Sequence, residues 1–395
     1  MTFRDVFVKK QIPFHFRNTD FSFHVSQELF SSQQVDHGTQ RLLRSLLFAK
    51  VDNYTKVLDL GCGYGPLGIV LQKLRPESRV TCADRDALAL EFTQWNAAEN
   101  AVQIQTTASL GYDSVPDTDF DLIVSNIPAK VGESVLKHML LDARAHLAPD
   151  GLVAIVVVDP IAEFVEQVLI TNETVEITYH RHWPGHHVYH YRFVGAVGQP
   201  QESAFVRGVF YRDRSFYAFQ GKKFGLDVSY DLPEFDQLGH DTKLLLKFLK
   251  RIKTRFSAVG VLGPRQGHLA LATQKTWQPR AMHIFDRDVL ALQTTQQNLQ
   301  QNGFSATIHH QVGWSSDEPV EAIIGRFPEK MSMEQATWSV AQLAELVASK
   351  GTAVLASSST TMTRLLEANA KNKAFVLQDR DKNAGYSVVH WQRKS

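Results

Sequence analysis

Val57-Leu58-Asp59-Leu60-Gly61-Cys62-Gly63-Tyr64-Gly65-Pro66-Leu67-Gly68 decides the fold of this 395-residue chain. Lys56 to Leu60 is a short apolar run of the kind that forms a buried strand. The glycines mark a tight turn, and apolar spacing from Leu67 onward is helical. Strand, glycine turn and helix start together make a nucleotide-binding corner, because glycines without a Cβ let the backbone approach a ligand. Asp59 sits at the carboxyl end of the strand, where open α/β sheets bind ligands. A carboxylate there repels a pyrophosphate and attracts an amino-acid ammonium group, which points to S-adenosylmethionine. A dinucleotide stays open as the alternative. Gly63 to Gly68 reads literally as G-x-G-x-x-G, and Asp84 follows its first glycine by 84 − 63 = 21 residues, as that fingerprint asks. Against it, Gly63 lies three residues past Leu60 instead of directly after it. Asp84 closes a second strand, Arg79 to Asp84, and would hold ribose hydroxyls in either case.

The chain repeats itself once. Ala83-Asp84-Arg85-Asp86-Ala87-Leu88-Ala89-Leu90 returns as Phe285-Asp286-Arg287-Asp288-Val289-Leu290-Ala291-Leu292, at an offset of 286 − 84 = 202. Asn96 and Asn100 map onto Asn298 and Asn302, and Gly61 and Gly65 onto Gly263 and Gly267, at the same offset. Gly185, Val188 and His190 match Gly385, Val388 and His390 at 385 − 185 = 200. A register held this long implies duplication of a whole domain, far above the period of a solenoid.

Within the first copy, β and α signals alternate. A helix is expected over about 38–49, strands over 56–60, 79–84, 103–107, 120–125 and 152–158, and helices over 66–75, 86–99, 132–147 and 161–170. Two last strands flank Trp183-Pro184-Gly185. Residues 1–34 are phenylalanine-rich, and Phe14, Phe16, Phe21 and Phe23 alternate as core positions of strands. This order implies a mostly parallel, doubly wound sheet with a terminal antiparallel hairpin. The expected fold is therefore α/β, two tandem class I methyltransferase (Rossmann-like) domains with seven-stranded sheets. The expected boundaries are 1–196 for a catalytic domain, 197–222 for an interdomain segment that includes Gly198-Gln-Pro-Gln-Glu-Ser, and 223–395 for a degenerate copy.

Composition sets further bounds. Hydrophobic content of 44% and charged content of 21% describe an ordinary globular chain, and a net charge of +1 excludes a polybasic nucleic-acid binder. No apolar run approaches the roughly 18 residues of a membrane span. Two cysteines, Cys62 and Cys82, and a start without signal-peptide character imply a reduced, cytoplasmic setting.

Asn126-Ile127-Pro128 follows the fourth strand and so faces the same sheet edge as the glycine corner. Methyl transfer from a sulfonium is largely a matter of positioning the nucleophile. An exocyclic amine needs hydrogen-bond acceptors that aim its lone pair. The Asn126 amide oxygen and the fixed carbonyl before Pro128 supply that chemistry, which makes Asn126 and Pro128 the candidate catalytic residues.

The chain resembles the methyltransferase small domain family, which includes the RsmC-type ribosomal RNA guanine-N2 methyltransferases. The resemblance rests on Glu28-Leu-Phe30-Ser31, Val35-Asp36-His37-Gly38-Thr39, Leu58 to Gly65, Ala83-Asp84 and Asn126-Ile-Pro128, within residues 20–194. It implies S-adenosylmethionine as cofactor, ribosomal RNA as partner, an exocyclic amine of guanine as methyl acceptor, and cofactor contact at Asp36 and Thr39. The candidate cofactor residues are thus Asp36, Thr39, Asp59, Gly61, Cys62, Gly63, Gly65, Asp84 and Asn126. The family's usual Asn-Pro-Pro plus a bulky residue stands here as Asn126-Ile127-Pro128-Ala129, without an aromatic to stack on a flipped base. A small-molecule or protein methyltransferase and a non-catalytic S-adenosylmethionine- and RNA-binding module are therefore the alternatives.

The second copy has Val261 for Asp59, Pro264 for Cys62, Arg265 for Gly63 and Arg326 for Asn126, so no cofactor is expected to bind there. Arg265, Arg326 and Lys330 are expected either to face a phosphate at that edge or to be purely structural. Lys247 to Arg255 reads as a solvated basic face that could track an RNA backbone. His180, His182, His186, His187 and His190 fall within eleven residues. Without neighbouring cysteines or an acid cluster they read as solvated or cross-strand histidines, with no metal site. His24 and His37 are expected to flank the pocket.

Overall fold

Strand order in each sheet reverses beside the strand that feeds a glycine turn, and this topology fixes where a ligand can sit. The computed structural model describes residues 3–195, 198 and 202–395. Its first elements are α1 (Phe3–Phe7), the hairpin β1 (Lys10–Phe16) and β2 (Thr19–Val25), and α2 (His37–Phe48). Then follow β3 (Lys56–Leu60), α3 (Pro66–Leu74), β4 (Arg79–Asp84), α4 (Ala87–Glu99), β5 (Gln105–Ala108), β6 (Phe120–Asn126) and α5 (Glu133–Leu141). β7 (Leu147–Val158), α6 (Asp159–Thr171), β8 (Val175–Trp183) and β9 (His186–Phe193) close the first copy. The strands form one seven-stranded sheet in the order β5-β4-β3-β6-β7-β9-β8. Only the pairings of β9, with β7 and with β8, are antiparallel. The switch point lies at β3, between β4 and β6, so the carboxyl ends of these three strands define the crevice.

The second copy repeats this as β10 (Tyr211–Phe219), β11 (Lys222–Ser229), α7 (His240–Leu249), β12 (Ala258–Leu262), α8 (His268–Trp277), β13 (Ala281–Asp286), α9 (Val289–Gln301) and β14 (Thr307–His310). It continues with β15 (Val320–Arg326), α10 (Met333–Leu346), β16 (Val347–Ser358), α11 (Ser359–Asn372), β17 (Phe375–Asn383) and β18 (Tyr386–Arg393). Its sheet order, β14-β13-β12-β15-β16-β18-β17, is the same.

The chain forms two compact units, Phe7–Phe210 and a unit of Tyr211–Ser395 with the residues up to Val6. The expected boundaries shift accordingly. Residues 211–222, assigned from sequence to an interdomain segment, belong to the β10–β11 hairpin, which is the counterpart of β1–β2. Residues 202–210 of the expected junction fall in the first unit, and 197 and 199–201 lie outside the described residues. Phe3 packs edge-on against Trp338 with ring centroids 6.4 Å apart, within the second unit. The helix expected over 132–147 is shorter. It ends at Leu141, a 3-10 turn covers Asp142–Ala145, and β7 begins at Leu147 with Asp150 at φ 61 beside the register shift opposite Phe120 and Leu122.

The repeated asparagines have a structural reason. Asn96 on α4 donates to the carbonyls of His24 (3.0 Å) and Tyr64 (2.9 Å) and accepts from His24 N–H (2.7 Å). Asn100 brackets Ser22 in the same way. Asn298 repeats this on Asp227 and Gln266, and Asn302 donates to the Gly225 carbonyl. In each copy these amides satisfy the edge of the N-terminal hairpin and tie it to the glycine corner. Of the four alternating phenylalanines, Phe16, Phe21 and Phe23 are buried, and Phe14 is half-buried.

Candidate active site

β3 ends in a turn whose three glycines all have positive φ, Gly61 at 72°, Gly63 at 59° and Gly65 at 88°. A Cβ added at Gly61 or Gly63 would meet no described atom within 4 Å, so the turn faces open space at the switch point. The turn is held from behind. Gly61 and Cys62 N–H donate to the Ala83 carbonyl at 2.8 and 3.1 Å, and Ser125 Oγ donates to the Leu60 carbonyl at 2.7 Å. Gly65 caps α3 without a side-chain acceptor, and Pro66 at its first position pre-sets the helical φ. At the start of α3 Pro66 has no N–H, and the Gly68 N–H is taken up inside the fold by a carboxylate.

Asp84 accepts from Gly63 N–H at 2.9 Å through one oxygen and from Asp86 N–H at 2.9 Å through the other, so it clamps the turn at the end of β4. Asp59 departs from its expected place. It is 1% exposed, and it accepts from Gly68 N–H at 2.8 Å inside the first turn of α3. Its side chain points to the α3 face of the sheet, away from the open edge, because alternate residues of a strand face opposite sides. Its Oδ1 is buried without a partner among the described residues. Burial, with the Asp84 charge adding to it, pushes the Asp59 carboxyl up to about 7. Direct attraction of a ligand ammonium by an exposed Asp59 is thereby corrected to support of the corner from within. Cys62 is likewise 4% exposed, with its Sγ 3.6 Å from Thr93 Oγ1, and burial pushes its thiol up.

Asn126 ends β6. Its Nδ2 donates to Asp36 Oδ2 at 3.0 Å and to Thr39 Oγ1 at 3.2 Å. Asp36 also caps α2, accepting from Gly38 N–H at 2.8 Å and Thr39 N–H at 3.3 Å. A carboxylate accepts and cannot donate, so it sets which way the Asn126 amide lies. The nitrogen turns towards Asp36, and the oxygen is left as an acceptor without a partner among the described residues. Residues 87 and 90 positions apart are brought together by this contact. Ile127 is 3% exposed and anchors the segment, while Pro128, Ala129 and Lys130 are exposed.

Sequence reasoning did not find two further residues here. A Cβ at Gly38 would lie 2.8 Å from Asp36 Oδ2 and 2.9 Å from His186 Cδ2, so His186 covers the start of α2. Arg41 donates to His186 Nδ1 and to the Pro184 carbonyl (2.7 Å). Burial and the Arg41 guanidinium hold His186 below the ordinary imidazole range. The repeat of Gly185, Val188 and His190 marked the hairpin but not this reach across to α2. His190 is core instead, 0% exposed, bonded to Ser45 Oγ at 2.7 Å and pushed down to about 4 by burial. His24 stacks on Trp95 at 3.9 Å, and His37 is exposed and pairs with Gln34.

The second corner is closed. Arg265, at φ 54, bonds Glu234 (2.6 Å) and Asp241 (2.7 Å). Arg326 is 8% exposed, donates to Thr242 Oγ1 at 2.6 Å, lies 3.4 Å from Asp241, and places its Cγ 2.9 Å from where a Gly263 Cβ would be. Both arginines are thus turned inward and paired, which favours the structural alternative over the phosphate one for these two. Lys247 and Arg251 pair with Asp381 and Asp379 at 2.7 and 3.1 Å, so part of the basic run is neutralised.

Two doubly wound seven-stranded sheets, each with a glycine corner after its central strand and a terminal antiparallel hairpin, define the class I methyltransferase fold, here present twice. Residues 20–178 match the family model described as methyltransferase small domain. The ribosomal RNA small subunit methyltransferase C of Pasteurella multocida (strain Pm70) is 36% identical over 146 residues, which cover 36% of this chain and 43% of that protein. The corresponding protein of Haemophilus influenzae (strain PittGG) is 35% identical over 134 residues, 32% of this chain and 39% of its own length. The chain therefore spans about two-fifths of the length of these relatives. The solved T. thermophilus 16S rRNA N2 methyltransferase RsmC, in complex with AdoMet and guanosine, superposes with a TM-score of 0.71 at 15% identity, covering 99% of this chain and 100% of that one. The likeness establishes the tandem fold along the whole chain.

Proposed function

We propose that the N-terminal unit is an S-adenosylmethionine-dependent methyltransferase that acts in the cytoplasm on an exocyclic amine of guanine in ribosomal RNA. The observation that carries this reading is Asn126, locked by Asp36 and Thr39 with its amide oxygen free beside an open glycine turn. The residues fit the cofactor. Gly61 and Gly63 leave room for close approach, and Asp84 at the end of β4 offers carboxylate oxygens to ribose hydroxyls. Bound S-adenosylmethionine supplies an electrophilic methyl group.

Asn126 Oδ1 and the Ile127 carbonyl accept the two hydrogens of the amine and aim its lone pair at the methyl carbon. Pro128 fixes the backbone that presents that carbonyl. As the amine nitrogen bonds to the methyl carbon, the carbon–sulfur bond of the sulfonium would break, sulfur would leave with the electron pair as a neutral thioether, and the surplus proton would pass from the methylated ammonium to water. No strong base is required, and most of the rate comes from alignment. Among the described residues no helix is long and apolar enough to cross a membrane.

One observation favours a second reading, methylation of a small molecule or a protein. Pro128, Ala129 and Lys130 are exposed and none is aromatic, so the segment offers no ring for a flipped base. The deciding experiment titrates S-adenosylmethionine into the intact protein and an Asp84→Ala variant by calorimetry, then follows radiolabelled methyl transfer to total RNA. One equivalent bound, lost in the variant, with label in RNA is the expected result. Label only in protein or small molecules would move the reading to the second. No binding at all would remove it.

A further inference from the structure

Away from Asn126, on the α6 side of the β8–β9 hairpin, three ligating side chains converge. His182 and His187 are direct cross-strand partners, with ring centroids 4.4 Å apart. Asp159, the first residue of α6, places its Oδ1 3.7 Å from His182 Nε2 and 3.7 Å from His187 Nε2. One ligand atom from each of the three lies within 4.8 Å of the others. At 3.7 Å these are not hydrogen bonds. Donors about 2.0–2.2 Å from a shared tetrahedral centre stand roughly 3.3–3.6 Å from one another, so small rotamer shifts close the set around one ion.

The surroundings support this geometry. His180 Nε2 lies 3.2 Å from His187 Nδ1. In the tautomer where His187 Nδ1–H donates to His180, the Nε2 lone pair of His187 faces the Asp159 carboxylate. Two acceptors then meet with no proton between them, an arrangement a cation satisfies. His180 thereby takes the outer-sphere place that orients a ligating imidazole. The helix dipole opposes a cation at the start of α6, and the Asp159 carboxylate offsets it.

We propose that Asp159, His182 and His187 form a binding site for a divalent transition-metal ion of zinc's class, with water in the remaining position. Two imidazoles and one carboxylate are a borderline donor set that selects such ions over calcium or magnesium. The bound ion links the hairpin turn to α6, where Asp159 N–H already donates to the Gly185 carbonyl at 3.2 Å. The next residue, His186, reaches Arg41 on the other side, so the ion braces the segment that covers the start of α2. The site is independent of the methyl-transfer reading.

The test uses the intact protein, stripped with a chelator, and zinc chloride as the probe. Calorimetry should give one equivalent with a Kd on the order of micromolar. Cobalt(II) in its place should give the strong visible absorption of a four-coordinate ion. Asp159→Asn, His182→Asn and His187→Asn should each weaken binding at least tenfold, and His15→Asn, at an exposed His–Asp pair on β1, should change nothing. Side chains 50% and 57% exposed at Asp159 and His182 can be replaced without disturbing the core, which circular dichroism confirms. Loss in fewer than all three variants, equal loss in His15→Asn, or no binding tighter than about 100 µM overturns the proposal.

Discussion

The same turn occurs twice in this molecule, once open and once filled. In the first unit Gly63 leaves space and Asn126 stands back, tied to Asp36 and Thr39. In the second, Arg265 and Arg326 occupy the matching positions and pair with Glu234 and Asp241 inside the corner. The backbone barely registers the change, since Gly263 and Gly267 keep φ values of 60° and 92° against 72° and 88° at Gly61 and Gly65. A fold that evolved around a ligand keeps its turn when the ligand's place is taken by side chains. The difference lies in what the corner contains, not in how the chain runs.

Breaking the filled corner should have the largest effect. Glu234 accepts from Gly239 N–H, Thr242 Oγ1 and Arg265 at once. Glu234→Ala leaves two inward guanidinium groups with one carboxylate between them. Removing one member of a buried ionic cluster costs about 3–5 kcal/mol. Urea denaturation followed by tryptophan fluorescence reads this, because four of the six tryptophans, Trp277, Trp314, Trp338 and Trp391, lie in the second unit. An unchanged midpoint would mean the cluster does not hold the corner.

Filling the open corner is the converse. Asn126→Arg imports the residue of the second copy. The guanidinium should pair with Asp36 and lie across the glycine turn as Arg326 lies over Gly263. S-adenosylmethionine affinity measured by calorimetry should fall about 100-fold, or about 2.7 kcal/mol. Retained affinity would show that side-chain filling is not what separates the two corners.

A smaller difference, and one that changes sign with pH, separates Asp59 from its counterpart Val261. A carboxyl raised to about 7 in the folded state leaves the fold fully favoured below the ordinary carboxylate value of 3.8 and progressively less favoured up to about 7. Asp59→Asn removes that titration but leaves a buried N–H2 where Oδ1 now has no partner. The variant should be less stable than the parent at pH 5 and more stable at pH 8, by about 1–2 kcal/mol in net. Thermal melts of both across that range check it, and a constant difference would place the Asp59 titration elsewhere.

What was legible in the sequence was local or repeated. The strand, the glycine turn and the helix start are contiguous, and the duplication set the order of both sheets. The side-chain directions were not legible. Asp59 lies at a strand end, which suggested the crevice, yet the pleat turns it under α3. An arginine at 265 or 326 reads as a surface cation until Glu234 and Asp241 are seen to receive it. Asp36 and Thr39 entered only through a family resemblance, because their partner Asn126 lies a whole half-sheet away in sequence. Arg41 with His186, and Asp159 with the hairpin histidines, are contacts across 145 and 23–28 positions that no motif spacing encodes.

The finest test concerns how Asn126 is held. Thr39 is 4% exposed, and its hydroxyl receives one of the two hydrogen bonds from Asn126 Nδ2. Thr242 occupies its place in the second copy, where its hydroxyl receives Arg326 instead. Thr39→Val keeps the volume and removes the acceptor, while Asp36 continues to receive Nδ2 at 3.0 Å. The amide should stay in place on average but rock more widely, so the kcat of methyl transfer should fall about fivefold, near 1 kcal/mol. KM for the acceptor should change little, and Thr39→Ser, which keeps the hydroxyl, should restore the rate. A merely structural role would lower the melting temperature in both variants alike and leave kcat per folded molecule unchanged. A Thr39→Val enzyme with full kcat would place the lock on Asn126 in Asp36 alone, and the open corner would then depend on one residue of α2's cap, not two.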